Sequence, residues 1–400
     1  RFLSEGPLGG IIGGERAPSA ANELLATRDP GSGETLAEVH VMQSDDVDRA
    51  VQAAAVAFAS SGWSTLAPAQ RGEILERLVG AVEQRKAVLA EIEARDCGKL
   101  YAQAEGDVQN FIDTMRYFIG LAPEAPRHTR LSVSGHDAWI ARQPWGPCGF
   151  VFPWNFPLLL VGWGIAPALV AGNTVVIKPA EDTPLSTIYL AQLAQEVGIP
   201  DGIINVVPGP GHITGAALTA HPGLKRMSFT GSPEVGRIVG ENCGRNLVPV
   251  KLELGGKGAA VVFDDVDLPA TVESLAQAIT FHAGQVCCDA TRWLIHQSIY
   301  DQFVTSVAKR LQEVVVGYEM DSSAQMGPLV SEKQYQRVLG YLRKGREQGA
   351  ELVLEGGPCD VPGYQGFYVK PALLAGSLDN VAAREEIFGP VAYIASFRDE

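Results

Sequence analysis

The stretch GQVCCDATR, residues 284–292, sets Cys287 beside Cys288 in a chain that has six cysteines. A thiolate is a good nucleophile toward a carbonyl. A free cysteine is also among the residue types most often buried as a small apolar group, so the pair by itself leaves both readings open. Three other stretches carry groups suited to acyl chemistry. PWNFP at 153–157 holds the Asn155 amide between two prolines at the end of a predicted strand, where its direction is restricted. LELGGK at 252–257 puts Glu253 at a strand end before two glycines that let a ligand approach the backbone closely. EEIFGP at 385–390 adds Glu385, Glu386 and Phe388. Taken singly, these read equally well as a turn asparagine, a surface glutamate beside a turn, and a charged turn with one buried aromatic. The cysteines at 97, 148, 243, 287, 288 and 359 form no Cys-x-x-Cys pair, and no histidines cluster at ligand spacing, so no metal site is expected.

Such groups need a scaffold, and the sequence supplies one. Residues 44–58 read as a helix capped by Ser44, with Asp45 and Asp46 in its first turn and Val47, Val51, Ala54 and Phe58 on one face. A longer helix is expected from Pro68 to Cys97, stopped at Gly98. From residue 149 short β-branched runs at 149–152, 174–177, 202–207, 224–229 and 248–253 alternate with helical stretches near 184–196, 212–220 and 232–240. Alternation of this kind predicts a parallel, doubly wound sheet that binds ligands at the carboxyl ends of its strands. A second α/β set begins near 259, with helices near 268–283, 298–315 and 331–348 and a strand at 351–354. Residues 127–145 alternate around an SGHD turn and read as an inserted hairpin, either an oligomerisation arm or an ordinary surface hairpin. The glycines of GPGHITG and GSPEVG miss the spacing of a dinucleotide fingerprint and read as turns that open helices.

A formal net charge of −14 opposes nucleic acid or an anionic membrane as a partner, which favours a small-molecule function. From Gln143 to Ile177 run 35 residues without a charged side chain, more than the ~20 a membrane helix needs. Pro153, Pro157 and Pro167 interrupt that run, so a buried strand, turn, helix and strand are expected in place of a membrane span. Unpaired cysteines at this density fit a reducing, cytoplasmic setting.

Taken together, and in this order, the asparagine, the glutamate, the cysteine and the Glu-x-Phe motif resemble the aldehyde dehydrogenase superfamily, over essentially the whole chain. The interval of 34 residues from Glu253 to Cys287 agrees with that family's spacing. The resemblance implies an aldehyde dehydrogenase-like α/β fold: a Rossmann-type NAD-binding domain from residues 1–126 and 146–253, an oligomerisation hairpin at 127–145, and an α/β catalytic domain at 254–400. It implies NAD-dependent oxidation of an aldehyde to a carboxylic acid by a homodimer or homotetramer. The nucleophile is the cysteine two places after Gln285, which is Cys287; Cys288 becomes a packed neighbour. The Asn155 amide and the Cys287 N–H form the oxyanion hole, and Glu253 is the general base, whose presence favours a free acid over transfer to coenzyme A. Cofactor contacts fall on Phe152, Trp154, Lys178, Glu181, Phe229, Gly231, Ser232, Leu254, Glu386 and Phe388. A carboxylate at Glu181 accepts from ribose hydroxyls and repels a 2′-phosphate, so NAD is expected over NADP. Phe156, Leu160 and Trp163 resemble the wall of the aldehyde tunnel and suit an apolar or cationic substrate.

Four features depart from the family pattern. Asp289 puts a carboxylate two places from the nucleophile, where, unpaired, it is expected to raise the thiol pKa. Gly258 stands in place of a polar residue, and Thr280 in place of an apolar or aromatic one. The resemblance also implies a further C-terminal segment beyond Glu400, completing the catalytic lobe, the substrate funnel and the oligomer sheet. The competing reading is a catalytically silent NAD-binding homologue or structural module.

Overall fold

The structure is a computed structural model that describes residues 2–4, 6–124 and 128–399. The predicted junction at 126/127 lies outside the described residues. The chain divides into two compact units. The first comprises residues 1–27, 35–93 and 105–253, and the second residues 28–34, 94–104 and 254–400. The sequence reading has 28–34 and 94–104 in the first domain; the contact pattern groups them with the second unit.

The first unit is built on a seven-stranded sheet in the order Val250–Leu254, Arg226–Gly231, Pro147–Val151, Thr174–Lys178, Ile204–Val206, Gly10–Ile12, Glu15–Ala17. The four strands from Arg226–Gly231 to Ile204–Val206 run parallel, and Gly10–Ile12 is antiparallel to its neighbour. Pro147–Val151 and Thr174–Lys178 are buried throughout, as parallel strands covered on both faces must be. From Pro147–Val151 the chain steps outward through the next two strands, then returns to lay Arg226–Gly231 on the other side. The order therefore reverses at Pro147–Val151, and in such sheets the crevice at the carboxyl ends beside the reversal receives the ligand.

The uncharged run at 143–177 folds as strand, turn, helix Pro157–Val170 and strand. Among the described residues no helix is long and apolar enough to cross a membrane. Helix Ser44–Ser60 packs Val47, Ala50, Val51 and Ala54 into a core shared with Val151, Val176, Leu218 and Met227. Its N-cap is Gln43 rather than Ser44: the Asp46 carboxylate accepts the Gln43 N–H at 2.9 Å, a bond only the third helical position can reach back to make. The predicted helix from Pro68 to Cys97 is two, Pro68–Gln84 and Lys86–Cys97, because Arg85 leaves helical geometry at φ −108°, ψ 14°. Tyr101–Leu121 forms a further helix, not foreseen from the sequence.

Strands His128–Val133 and His136–Ala141 form the predicted hairpin. Leu131, Val133 and Ile140 on one face and Trp139 on the other are all exposed.

The second unit carries a five-stranded sheet ordered Ala259–Val262, Arg292–His296, Val391–Phe397, Ala372–Ala375, Glu351–Leu354. Its first four strands are parallel and the last is antiparallel. Helices Leu268–Thr280 and Tyr300–Gln312 bury Val272, Ile279, Phe303 and Val307 against Trp293 and Ile394, while Glu332–Glu347 packs Val338 and Leu342 with Leu374 and Tyr393.

Candidate active site

In the first unit the candidate residues gather at the carboxyl ends of the parallel strands. Phe152, Pro153, Trp154 and Asn155 follow directly on Pro147–Val151. Phe152 is buried and stacks on Phe150, their ring centroids 5.7 Å apart. Asn155 is buried, and Pro157 opens the next helix at its first turn, where the missing N–H costs nothing. Lys178 ends the neighbouring strand and is buried; its ammonium meets the Glu181 carboxylate at 3.1 Å. Burial pulls the Lys178 amine below its ordinary value against the pull of Glu181. Burial pushes the Glu181 carboxyl up, but Lys178 and the Gly211 N–H prevail and hold it below the usual range. Phe229 is buried at the end of Arg226–Gly231, and Ser232 caps helix Pro233–Arg245 by accepting the Val235 N–H at 3.3 Å. That exposed helix start, beside the strand reversal, fits a pyrophosphate.

Glu253 is exposed near the end of edge strand Val250–Leu254, and its carboxylate pairs with Lys251 Nζ at 3.1 Å. The two lie two residues apart and so share one face of the strand. Trp163 is 55% exposed and lines a groove of about 460 Å³ with Asp113, Thr114, Tyr117 and Phe118; its indole N–H donates to Asn110 at 2.8 Å. Phe156 is buried and Leu160 half-buried, and neither lines that groove.

In the second unit the cysteine loop is built on an unusual turn. The helix expected over 268–283 stops at Thr280, and His282, Ala283 and Gly284 follow with φ of 48°, 53° and 68°, three left-handed residues in succession. Two of these carry side chains, a strain that the surrounding structure has to hold. It does so in two ways. The Gln285 side chain donates to the His282 carbonyl and accepts the Val330 N–H, both at 3.0 Å. Gly284 lies so close to Gly389 that a Cβ would overlap the Gly389 carbonyl. The turn delivers Cys287 and Cys288 to the surface, both as free thiols.

Gly389 belongs to EEIFGP, which helix Glu332–Glu347 pins. Gln334 donates to the Phe388 carbonyl at 2.6 Å, and Arg337 to the carbonyls of Glu386 and Ile387 at 2.6 and 3.2 Å. Phe388 is itself left-handed, with φ 63°. The Glu386 carboxylate accepts the Gly256 N–H at 3.3 Å, and Leu254, two residues earlier, is exposed. The second unit thus brings Glu386, the 255–258 loop and the cysteine loop together.

Although the Cys287 residue is exposed, its surroundings take part of the thiol's solvent and raise it above its ordinary value, with Cys288 and then Glu386 adding to the rise. Asp289 is not among the groups that raise it, so the expected rise of the thiol from this carboxylate is not seen; the Asp289 carboxyl is itself raised by burial, against the backbone of Ala290 and the charge of Lys257. Gln285, Gln334, Arg337, Lys257 and Lys251 were missed by sequence reasoning. For Gln285 the signal was present, adjacent to the cysteines; for Gln334 and Arg337, some fifty residues from the backbone they hold, there was none.

A doubly wound sheet whose strand reversal gathers an asparagine, a buried lysine and a helix N-terminus, in a chain that also presents a thiol from a strained turn, places the protein among α/β folds that bind ligands at the carboxyl ends of their strands. The sequence profile of the aldehyde dehydrogenase family matches residues 17–400. The chain is 40% identical to retinal dehydrogenase 2 of Homo sapiens over 392 residues, 97% of this chain and 75% of that protein. It is 39% identical to aldehyde dehydrogenase 1A1 of Equus caballus, covering 97% and 78%. The NAD+ complex of aldehyde dehydrogenase from Bacillus cereus superposes with a TM-score of 0.96 at 34% identity, over 100% of this chain and 81% of that one. Betaine aldehyde dehydrogenase from Staphylococcus aureus in complex with NAD+ gives 0.96 at 31%, over 100% and 80%. The chain belongs to the aldehyde dehydrogenase family and is an oxidoreductase that acts on aldehydes.

Proposed function

We propose that the chain oxidises an aldehyde to its carboxylic acid with NAD, through a covalent intermediate on Cys287. NAD, when bound, accepts the hydride. Everything else falls to the chain's own residues. Cys287 loses its proton and its sulfur bonds to the aldehyde carbon; the Asn155 amide and the Cys287 N–H donate to the resulting oxyanion. Loss of the hydride leaves a thioester. Glu253 takes a proton from a water that attacks this carbonyl, the C–S bond breaks, and acid and thiol are released. The first unit serves as the NAD-binding domain and the second as the catalytic domain, with 28–34 and 94–104 going to the second rather than to the first. The residues assigned to the dinucleotide are Phe152, Trp154, Lys178, Glu181, Phe229, Gly231, Ser232, Leu254, Glu386 and Phe388. Trp163, which lines the groove with Tyr117 and Phe118, receives an apolar or cationic aldehyde, while Phe156 and Leu160 pack behind it, and the 128–141 ribbon serves self-association.

The observation that carries this reading is the left-handed turn at 282–284, which brings Cys287 to the surface on a loop braced by Gln285 and Gly389. The position two places after Gln285 favours Cys287 over Cys288. Purified protein assayed for NADH formation across a panel of aldehydes should lose all turnover in Cys287→Ala and keep most of it in Cys288→Ala. Full activity in Cys287→Ala would sink the assignment, and equal losses would leave the thiols undivided.

A further inference from the structure

Lys257 and Asp289 carry charge inside the second unit and have no place in the roles proposed above. Lys257 Nζ is buried without a hydrogen-bond partner, and so is Asp289 Oδ2. The two lie on loops that touch. A Cβ on Gly258 would stand 2.6 Å from the Asp289 carbonyl oxygen, and the Gly258 carbonyl accepts the Arg292 N–H at 3.1 Å. Two of the positions where this sequence departs from the family pattern are therefore in contact, and the glycine at 258 is what admits the backbone of 289.

The groups facing Lys257 are Arg292, which repels its ammonium, and Asp289 and Glu386, which attract it. Burial lowers the Lys257 amine to about 8 and raises the Asp289 carboxyl to about 6; their mutual attraction acts against both shifts and is outweighed by the loss of solvent. Glu386 approaches from the other side. Its carboxylate accepts the Gly256 N–H, and its oxygen fills the space of a Cβ on Gly255. One buried ammonium thus lies within the field of two carboxylates, one from the cysteine loop and one from EEIFGP.

We propose that Asp289 is a positioning residue for Glu386: by sharing Lys257, it keeps the ammonium from capturing the Glu386 carboxylate and leaves that carboxylate able to accept from a ribose. This rests on the reading that Glu386 binds the nicotinamide ribose of NAD. It also explains how a carboxylate two places from the nucleophile coexists with a reactive thiol, since its charge is directed to Lys257.

The test uses steady-state kinetics with NAD and aldehyde varied separately, beside the rate of iodoacetamide labelling of Cys287. Asp289→Ala should raise the KM for NAD roughly tenfold, the size of coupling seen within one charge network, while the KM for aldehyde and the labelling rate stay within about twofold. Adding Lys257→Met to Asp289→Ala should bring the NAD KM most of the way back, a rescue that a merely structural role would not give. Asp289→Asn, which keeps the shape, should raise the NAD KM in the same direction even if the alanine variant folds poorly. An unchanged NAD KM in Asp289→Asn, no rescue by Lys257→Met, or a labelling rate that falls in step with kcat would each overturn the inference. Glu386→Gln separates the two readings. If it leaves the NAD KM unchanged, the ribose reading fails and takes this inference with it; if it raises the KM while Asp289→Asn does not, only this inference fails.

Discussion

At the scale of the residue, the proposed chemistry turns on how a raised thiol would become a nucleophile. The Cys287 thiol sits above its ordinary value of 9.0, pushed there by partial loss of solvent and by the neighbouring Cys288 and Glu386. A thiol so placed is mostly protonated at neutral pH and waits for a base or an added positive charge. In the protein without cofactor, the rate of iodoacetamide labelling at Cys287 should therefore still be climbing at pH 9.0. A labelling rate that levels off near neutrality would show a thiolate already stabilised and contradict this description. The types and spacing of Asn155, Glu253, Cys287 and Glu386 were legible in the sequence because each falls in a short motif at the end of an element. The approach of the Asp289 loop to the loop that carries Lys257 was not. Thirty-two positions separate Lys257 from Asp289, and only the contact between the 258 and 289 backbones reveals that their loops touch.

At the scale of the element, the decisive piece is the turn at 282–284. Sequence periodicity carries the preceding helix to 283 because His282 and Ala283 have no intrinsic reason to leave helical geometry; packing against Gly389 makes them do so. Gly284→Ala tests how far that turn depends on close approach. The new side chain meets both a φ of 68° and the Gly389 carbonyl, so the variant should lose about 1–3 kcal/mol of stability in denaturant unfolding and most of its turnover. A variant as stable and active as the parent would mean that the turn is not what presents Cys287. The predicted helices at 184–196 and 331–348 formed nearly as read: the first is buried along almost its whole length, and the second is capped by Ser331 and buries Val338 and Leu342. The split at Arg85 escaped the same method, as nothing near it breaks a helix.

At the scale of the whole molecule, two features govern stability and assembly. In the second unit the buried Glu319 carboxyl lies beside Asp29, which is fixed by the Tyr318 hydroxyl at 2.8 Å and the Gly31 and Ser32 N–H groups at 3.0 and 2.9 Å. Burial, with Asp29 adding to it, raises Glu319 to about 9 from an ordinary 4.5. The folded state thus keeps a proton that the unfolded chain gives up above 4.5. The stability this confers is complete at acid pH and is lost progressively as pH rises toward 9. Glu319→Gln keeps the neutral shape and should flatten that part of the profile of Tm against pH; a wild-type slope in the variant would place the titration elsewhere. The second feature is the ribbon 128–141, exposed on both faces. If it joins copies of the chain, Trp139→Glu with Ile140→Lys should lower the mass measured by light scattering and leave secondary structure intact. An unchanged mass would make the ribbon an ordinary surface hairpin.

The sequence by itself determined the α/β class, the order of the main elements and the candidate chemical groups, because hydrophobic period, turn residues and short motifs act over a few neighbouring residues. Tertiary structure alone decided which strands lie side by side, where the sheet order reverses, and that the chain leaves its helix early to bring the paired cysteines to the surface. It also decided that the loop of Asp289 lies against the loop of Lys257. Contacts between residues far apart in the chain depend on how backbones fit at distances of a few ångströms, as at Gly258 and Gly284, and no local pattern encodes that fit.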